Sequence, residues 1–129
     1  RESELRYRLL FEQNAAGVCV TRLDGTIIDC NVTFALTLGC KRADLISRNL
    51  RDYYARPQDR DEVASILRDA GTLSSVEVEM RRLDGSSVWA LQNLVLVGSG
   101  ESAVMHATVV DISDRNLINI IAYIRDGNP

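Results

Sequence analysis

Histidine is nearly missing from this chain, with one residue, His106, among 129. A Ser-His-Asp or Cys-His nucleophile would have to recruit it, and no strained nucleophile elbow lies near it. Clustered basic residues are lacking too. Fifteen Lys and Arg stand against eighteen Asp and Glu, the formal net charge is -3, and Lys41-Arg42 and Arg81-Arg82 are the adjacent basic pairs. Both pairs read as solvent-facing, so the continuous positive surface that nucleic acid needs is absent. No apolar run approaches the roughly 20 residues that span a bilayer, and the amino end carries no signal-peptide pattern. The expectation is a cytoplasmic domain without direct membrane insertion. Cys19, Cys30 and Cys40 are odd in number and lack a CxxC spacing, which speaks against a disulfide framework or a zinc site. They are expected as reduced, buried small hydrophobes. No glycine-rich phosphate loop and no kinase or cyclase motif occurs, and Asp59, Asp61, Glu62, Glu77 and Glu79 fall on faces where solvated charges sit. The domain itself is expected to be non-catalytic.

What is present is an ordinary globular composition, 46% hydrophobic and 26% charged, in a length that suits one domain with a single modest core. The organising stretch is Leu23 to Gly39. Asp24-Gly25 between two apolar runs predicts a hairpin with a two-residue type I′ turn, pairing strands Val18–Arg22 and Thr26–Cys30. Asn31 ends the second strand and is placed to cap a helix that turns Phe34, Ala35 and Leu38 to one side, with Gly39 as its left-handed stop. Before it, Ser3–Gln13 reads as an amphipathic helix with Leu5 and Leu9 on one stripe and Tyr7, Leu10 and Phe11 on the next.

After Gly39 the pattern predicts two short turns, Ala43–Ser47 and about Leu50–Ala55. A helix over Gln58–Ala70 follows, with Val63, Ile66, Leu67 and Ala70 in register and Gly71 as its stop. Val76, Val78 and Met80 alternate with charged residues, and Asp84-Gly85 predicts a second hairpin turn. Val88–Val97 is apolar on both faces apart from Gln92 and Asn93, so both faces need covering. Ala103–Val110 reads as the last strand, with His106 turned outward by alternation. Asp111 closes that strand, and Ser113 can cap a further helix whose Leu117, Ile120, Ile121 and Ile124 form an apolar seam.

The run from Leu23 to Gly39, followed at the other end by Asp111-Ile112-Ser113-Asp114-Arg115, resembles the PAS sensory domains over about residues 5 to 118. The resemblance implies an α+β fold: a five-stranded antiparallel sheet in order 2-1-5-4-3, helices on one face and helical extensions at both ends. The chain then divides into an N-terminal helix (1–14), a core (15–112) and a C-terminal output or linker helix (113–129). Flavin-binding light sensors of that family carry Gly-x-Asn-Cys-Arg, whereas this chain has Ser47-Arg48-Asn49-Leu50-Arg51. Leu50 cannot form the adduct, and Met80, Ala90 and Val109 are apolar where those relatives use amides. Haem-binding relatives ligate iron through a His on the long helix, and Gln58–Ala70 has none. Both points speak against a covalent flavin adduct and a His-ligated haem, and leave the cofactor unassigned.

The same resemblance makes Asp111 and Ser113, with Asn31, candidates for coupling the sheet to the output helix; the plainer reading is a strand end and an N-cap. The concave face is expected to gather Phe34, Leu38, Leu50, Tyr54 and Leu67 from the helices against Val78, Met80, Ala90, Gln92, Leu94, Met105, Ala107 and Val109. That lining describes either a pocket for a small, apolar ligand or a filled core, with Gln92 the residue least at home in the latter. The outer face, read as Cys19, Thr21, Trp89, Leu91, Val95 and His106, is a candidate homodimer surface covered by Leu5 and Leu9 of the first helix. The expected function is a sensory or signal-relay module of a bacterial signalling protein, such as a sensor histidine kinase, with a downstream output domain. The rival expectation is a ligand-free homodimerisation scaffold.

Overall fold

The computed structural model describes residues 2–13 and 15–113. In chain order they form α1 (Glu2–Gln13), β1 (Gly17–Arg22), β2 (Ile27–Cys30), α2 (Val32–Thr37), α3 (Arg42–Leu45), α4 (Pro57–Ala70), β3 (Thr72–Arg81), β4 (Ser87–Val97) and β5 (Val104–Asp111), with 3-10 turns at Leu50–Tyr53 and Gly100–Ser102. The strands make one antiparallel sheet in the expected order, β2-β1-β5-β4-β3. The expected output helix, with Asp114 and the seam Leu117, Ile120, Ile121 and Ile124, lies outside the described residues.

Asn31 joins the first three elements. Its Oδ1 accepts from the backbone N–H of Phe34, which caps α2, and from that of Val18 in β1, each at 2.9 Å. Its Nδ2 donates to the carbonyls of Phe11 (2.9 Å) and Ala16 (3.1 Å), so one fully buried amide fixes α1, β1 and α2 together. Gly17 lets β1 approach α2 closely, since a Cβ there would sit 3.0 Å from the Phe34 Cα. Phe34, Ala35 and Leu38 of the α2 segment then enter the core with Leu45, Leu50, Val63 and Leu67.

The first hairpin differs from the two-residue turn expected, and the second, found where Asp84-Gly85 placed it, has the same geometry. Arg22 N–H donates to the Thr26 carbonyl and Gly25 N–H to that of Arg22, while Arg82, Ser86 and Gly85 repeat the pattern. Each loop therefore has three residues, Leu23–Gly25 and Leu83–Gly85. Positive φ occurs only at the glycine of each, 98° at Gly25 and 89° at Gly85. The aspartate does not need a left-handed backbone; its carboxylate accepts from the N–H two residues on, Thr26 or Ser86, and stabilises a type I turn ending in glycine. Thr26 accordingly lies outside β2 and bridges to Asn49.

The stripe that α4 buries is Arg60, Val63, Ala64 and Leu67, while Ile66 is exposed. It keeps the i, i+3, i+4, i+7 spacing but starts three residues earlier than expected, because Pro57 begins the helix and brings its first turn over the sheet. β3 also starts earlier, at Thr72, and carries a bulge. Leu73 to Val76 spans three steps against two on β4, Leu94 to Gln92; Ser75 takes a φ of 59° and donates its N–H to Asn93 Oδ1.

The segment between α3 and α4 runs from one sheet edge to the other. Ile27 N–H donates to the Arg48 carbonyl and Ser47 N–H to that of Ile27, on the free side of β2. Tyr54 bridges to Met80, and Ala55 N–H donates to the Glu79 carbonyl, on the free side of β3.

Candidate functional site

β1 places its residues on the opposite faces from those expected. Cys19 pairs with Cys30 and Ala107, and Thr21 with Met105, so the side chains of Cys19 and Thr21 point inward, at 0% and 3% exposure. Alternation alone could not choose the face of Val-Cys-Val-Thr; the register against β5 does. The outward set on the neighbouring strands is as expected. His106 is half-buried beside Val20, Leu91 is half-buried, and Trp89 and Val95 are exposed, as are Leu5 and Leu9 of α1.

All twelve candidate pocket residues are buried, and they divide into two groups. Phe34, Leu50, Tyr54, Gln92, Leu94, Met105, Ala107 and Val109 line a small internal cavity together with Cys19, Thr21 and Arg60. Leu38, Leu67, Met80 and Ala90 belong to the filled core beside it, as does Val78. The cavity measures about 10 Å³, which is room for about one water molecule.

The cavity's lining is polar at two places, at Gln92, which is paired with Val109, and at Thr21, which is paired with Met105 four residues away along β5. Tyr54 Oη donates to Gln92 Oε1 at 3.2 Å, and Gln92 Nε2 donates weakly to Met80 Sδ at 3.7 Å. Burial pushes the Tyr54 hydroxyl up to about 12, against a smaller lowering by Gln92, so it remains a neutral donor. Arg60 Nη2 reaches Thr21 Oγ1 at 3.4 Å and the Arg22 carbonyl at 3.3 Å, and burial lowers the guanidinium's pKa from its ordinary range. The sequence signal for Arg60 was its spacing from Val63, Ala64 and Leu67. A charged residue in a helical stripe reads first as the edge of that stripe, and here it lies under it.

Asn49 and Leu50 are structural. Asn49 Oδ1 accepts from Arg51 N–H and its Nδ2 donates to the Asp24 carbonyl, fastening the first hairpin to the 3-10 turn that carries buried Leu50. The cysteine thiols are held protonated: burial raises Cys19 well above the usual thiol range and Cys30 to about 11.

The carboxy-terminal junction is tied to β4. Ile112 N–H donates to the Trp89 carbonyl, and Ser113 Oγ accepts from Trp89 N–H at 2.9 Å. Ser113 N–H in turn donates to Asp111 Oδ1 at 2.8 Å. The Ser113 hydroxyl expected as a helix cap is thus engaged with the sheet. Arg82, expected to face solvent, is half-buried and bridges the Thr37 carbonyl (3.1 Å), the Ser87 carbonyl (3.1 Å) and Asp111 Oδ2 (3.5 Å). Among the described residues no helix is long and apolar enough to cross a membrane.

An antiparallel sheet in this order, helices over one face and a hydrogen-bonded junction after β5 make up the architecture. Residues 5–110 match the family described as the PAS fold, and the chain belongs to that family. Its relatives include the sensor histidine kinase TmoS of Ectopseudomonas mendocina, 26% identical over 118 residues; the match covers 88% of this chain and 12% of the kinase. The chain therefore spans a small part of that relative's length. Among solved structures, the PAS domain of a LuxR-family transcriptional regulator from Burkholderia thailandensis, in complex with ethanol, is 24% identical. It has a TM-score of 0.72 and covers 83% of this chain and 97% of that one. A PAS domain from Colwellia psychrerythraea is 21% identical with a TM-score of 0.75, covering 89% of this chain and all of that one. These likenesses identify a PAS sensor domain, of a class that is generally non-catalytic, with a sensor histidine kinase among its relatives.

Proposed function

We propose that this domain is the sensory, signal-relay module of a bacterial signalling protein, such as a sensor histidine kinase, and that a small ligand in the core cavity moves the helix expected after Ser113. The observation that carries this reading is the shared pair of strands between cavity and junction. Gln92 and Val109 line the cavity and are cross-strand partners; two pairs further on, Ala90 faces Asp111, and Trp89 holds Ile112 and Ser113. On this reading a change in the spacing of Gln92 and Val109 reaches the bonds that hold Ile112 and Ser113 to β4, with no intervening element to absorb it. The cavity's mainly apolar lining, with Thr21, Tyr54, Arg60 and Gln92 as its polar members, suits a small ligand that is largely apolar. The ethanol held by the Burkholderia PAS domain is a ligand of that scale.

Native mass spectrometry of the purified chain, alongside its denatured mass, tests the ligand. Extra mass that leaves on denaturation supports the reading. For the relay, Asp111→Ala and Ser113→Ala in the parent protein should abolish the response of its output activity to the stimulus, and a normal response in both variants would remove the relay. The rival reading, a homodimerisation scaffold without a ligand, is favoured by the exposed outer-face side chains Trp89, Val95 and Val97, at 47%, 40% and 46%. Under it the native mass is twice the monomer's and bare, and Trp89→Glu halves it.

A further inference from the structure

Cys19 and Cys30 are direct partners across β1 and β2. Hydrogen bonding fixes which kind of pair they form. The next pair along is bonded, with Asn31 N–H donating to the Val18 carbonyl at 3.0 Å, and Cys30 turns its own carbonyl away from β1 to accept from Arg42 Nε at 2.8 Å. Alternation then makes Cys19 and Cys30 a non-hydrogen-bonded pair, the kind in which Cα atoms stand about 4.5 Å apart and side chains lie closest. A disulfide accepts Cα separations of about 4.4–6.8 Å, with Cβ atoms about 3.5–4.5 Å apart. Cross-strand partners share a face, and both of these side chains are fully buried on the inner one. Two thiols are thus held side by side, at the short end of the range that a disulfide bridges, on an edge strand of four residues and its neighbour.

We infer that Cys19 and Cys30 form a reversible disulfide on exposure to a peroxide, a redox switch set where β2 meets α2. One sulfur, as thiolate, attacks a peroxide oxygen and becomes a sulfenic acid while the other oxygen leaves as water; the second thiol then displaces that hydroxyl as a second water. One peroxide is reduced for each disulfide formed, and two thiols are oxidised. Burial holds both thiols protonated, so the attack waits for a local opening of the edge and is slow. A bond at the short end of the range carries strain, which raises its reduction potential and lets small thiols open it again. The consequence passes to Asn31, which follows Cys30 directly and whose amide holds the Phe11 and Ala16 carbonyls. Drawing Cys30 toward Cys19 pulls that amide from its two acceptors, so the oxidation state is read in how firmly α1 is held. The switch needs no ligand in the cavity, and its failure leaves the ligand reading standing.

The test uses the whole chain carrying Cys40→Ser, which removes the half-buried third thiol and leaves a single possible bond within a monomer. The chain is incubated with hydrogen peroxide under native conditions, then treated with iodoacetamide in denaturant, and its intact mass is read. Loss of two hydrogens without alkylation, reversed by dithiothreitol, is the expected result. Two alkylated thiols, separate sulfinic acids or a disulfide-linked dimer would overturn the pairing. A bond that forms only when peroxide is added in denaturant would overturn it too, since the native register would then play no part. Cys19→Ala and Cys30→Ala in the same background should each leave one thiol that alkylates or gains oxygen, and either chain that folds serves as the control. Amide exchange of the Cys40→Ser chain should then show α1 exchanging faster in the oxidised form than in the reduced one. Unchanged or slower exchange in α1 would overturn the switch.

Discussion

Replacing Asn31 with alanine removes four hydrogen bonds at one buried point, and the cost can be assembled from the groups left behind. Loss of the α2 cap costs about 1 kcal/mol. The Val18 N–H, at the start of β1, loses its acceptor and costs about 1–3 kcal/mol more. The two donor bonds to Phe11 and Ala16, which dock α1, add a smaller amount, giving a total of about 3 kcal/mol. A domain of this size holds about 5–15 kcal/mol in all, so Asn31→Ala should remain folded at room temperature with Tm lowered by about 10 °C. Urea denaturation followed by circular dichroism measures the difference, and amide exchange should show α1 losing protection first. A loss below about 1 kcal/mol would refute the reasoning, since it would mean that the four bonds are replaced by water without penalty. Asn31→Asp separates the two halves of the argument: it keeps both accepting roles but turns a second oxygen toward two carbonyls. Its folded-state carboxyl pKa should be raised, so its stability relative to the wild-type chain should be greatest below about pH 4 and fall as pH rises through that raised value.

The two hairpin glycines should respond unequally to alanine. At Gly25 a Cβ would lie 2.4 Å from Asn49 Oδ1, and at Gly85 nothing lies within 4 Å. Chemical denaturation should therefore show Gly25→Ala costing about 2–3 kcal/mol and Gly85→Ala about 1 kcal/mol, the latter from the positive φ alone. Equal costs would show that Asn49 moves aside freely. At pH 8 a thiol raised to about 11, like Cys30, is only about one-thousandth thiolate, so iodoacetamide should modify native Cys30 at least about 100-fold more slowly than a free thiol. Half-buried Cys40 should react before it, and mass mapping after timed quenching gives the order. Asp24, Asp61 and Asp84 have depressed pKa values, from hydrogen bonds with Thr26, Arg51 and Ser86 respectively. Their stabilisation is complete above the unfolded carboxyl value of about 4 and is lost as pH falls through the lower folded values. The Tm should thus decline below about pH 4, and Asp84→Asn should flatten part of that decline.

Local chemistry carried most of the fold. The Asp-Gly pairs located both hairpins, Asn31 announced a cap, and Pro57 and Gly71 bracketed α4, because each depends on residues close in sequence. Eight of the cavity-lining residues were readable from alternation on β4 and β5 and from the apolar positions of the helical segments. What escaped was set by pairing. The inward direction of Cys19 and Thr21 depends on Met105 and Ala107, more than eighty residues away. Arg60 escaped because a charge at the start of a helix is ordinarily solvated, and only the docking of α4 on the sheet closes over it. The three-residue loops escaped because Asp-Gly serves two turn types, and the hydrogen bonds of Arg22 and Arg82 decide between them.

The crossing segment between α3 and α4 has a consequence for how this domain can meet another molecule. An open sheet invites growth, since each bare edge is a row of unsatisfied amides and carbonyls. Here one stretch of chain occupies both borders, through Ser47 and Arg48 beside β2 and through Tyr54 and Ala55 beside β3. Where β3 runs on past that cover, the bulge at Ser75 breaks the regular spacing that an added strand would need to match. Lateral polymerisation is thereby discouraged at both ends of the sheet, whereas Trp89 and Val95 on its broad face are exposed among the described residues.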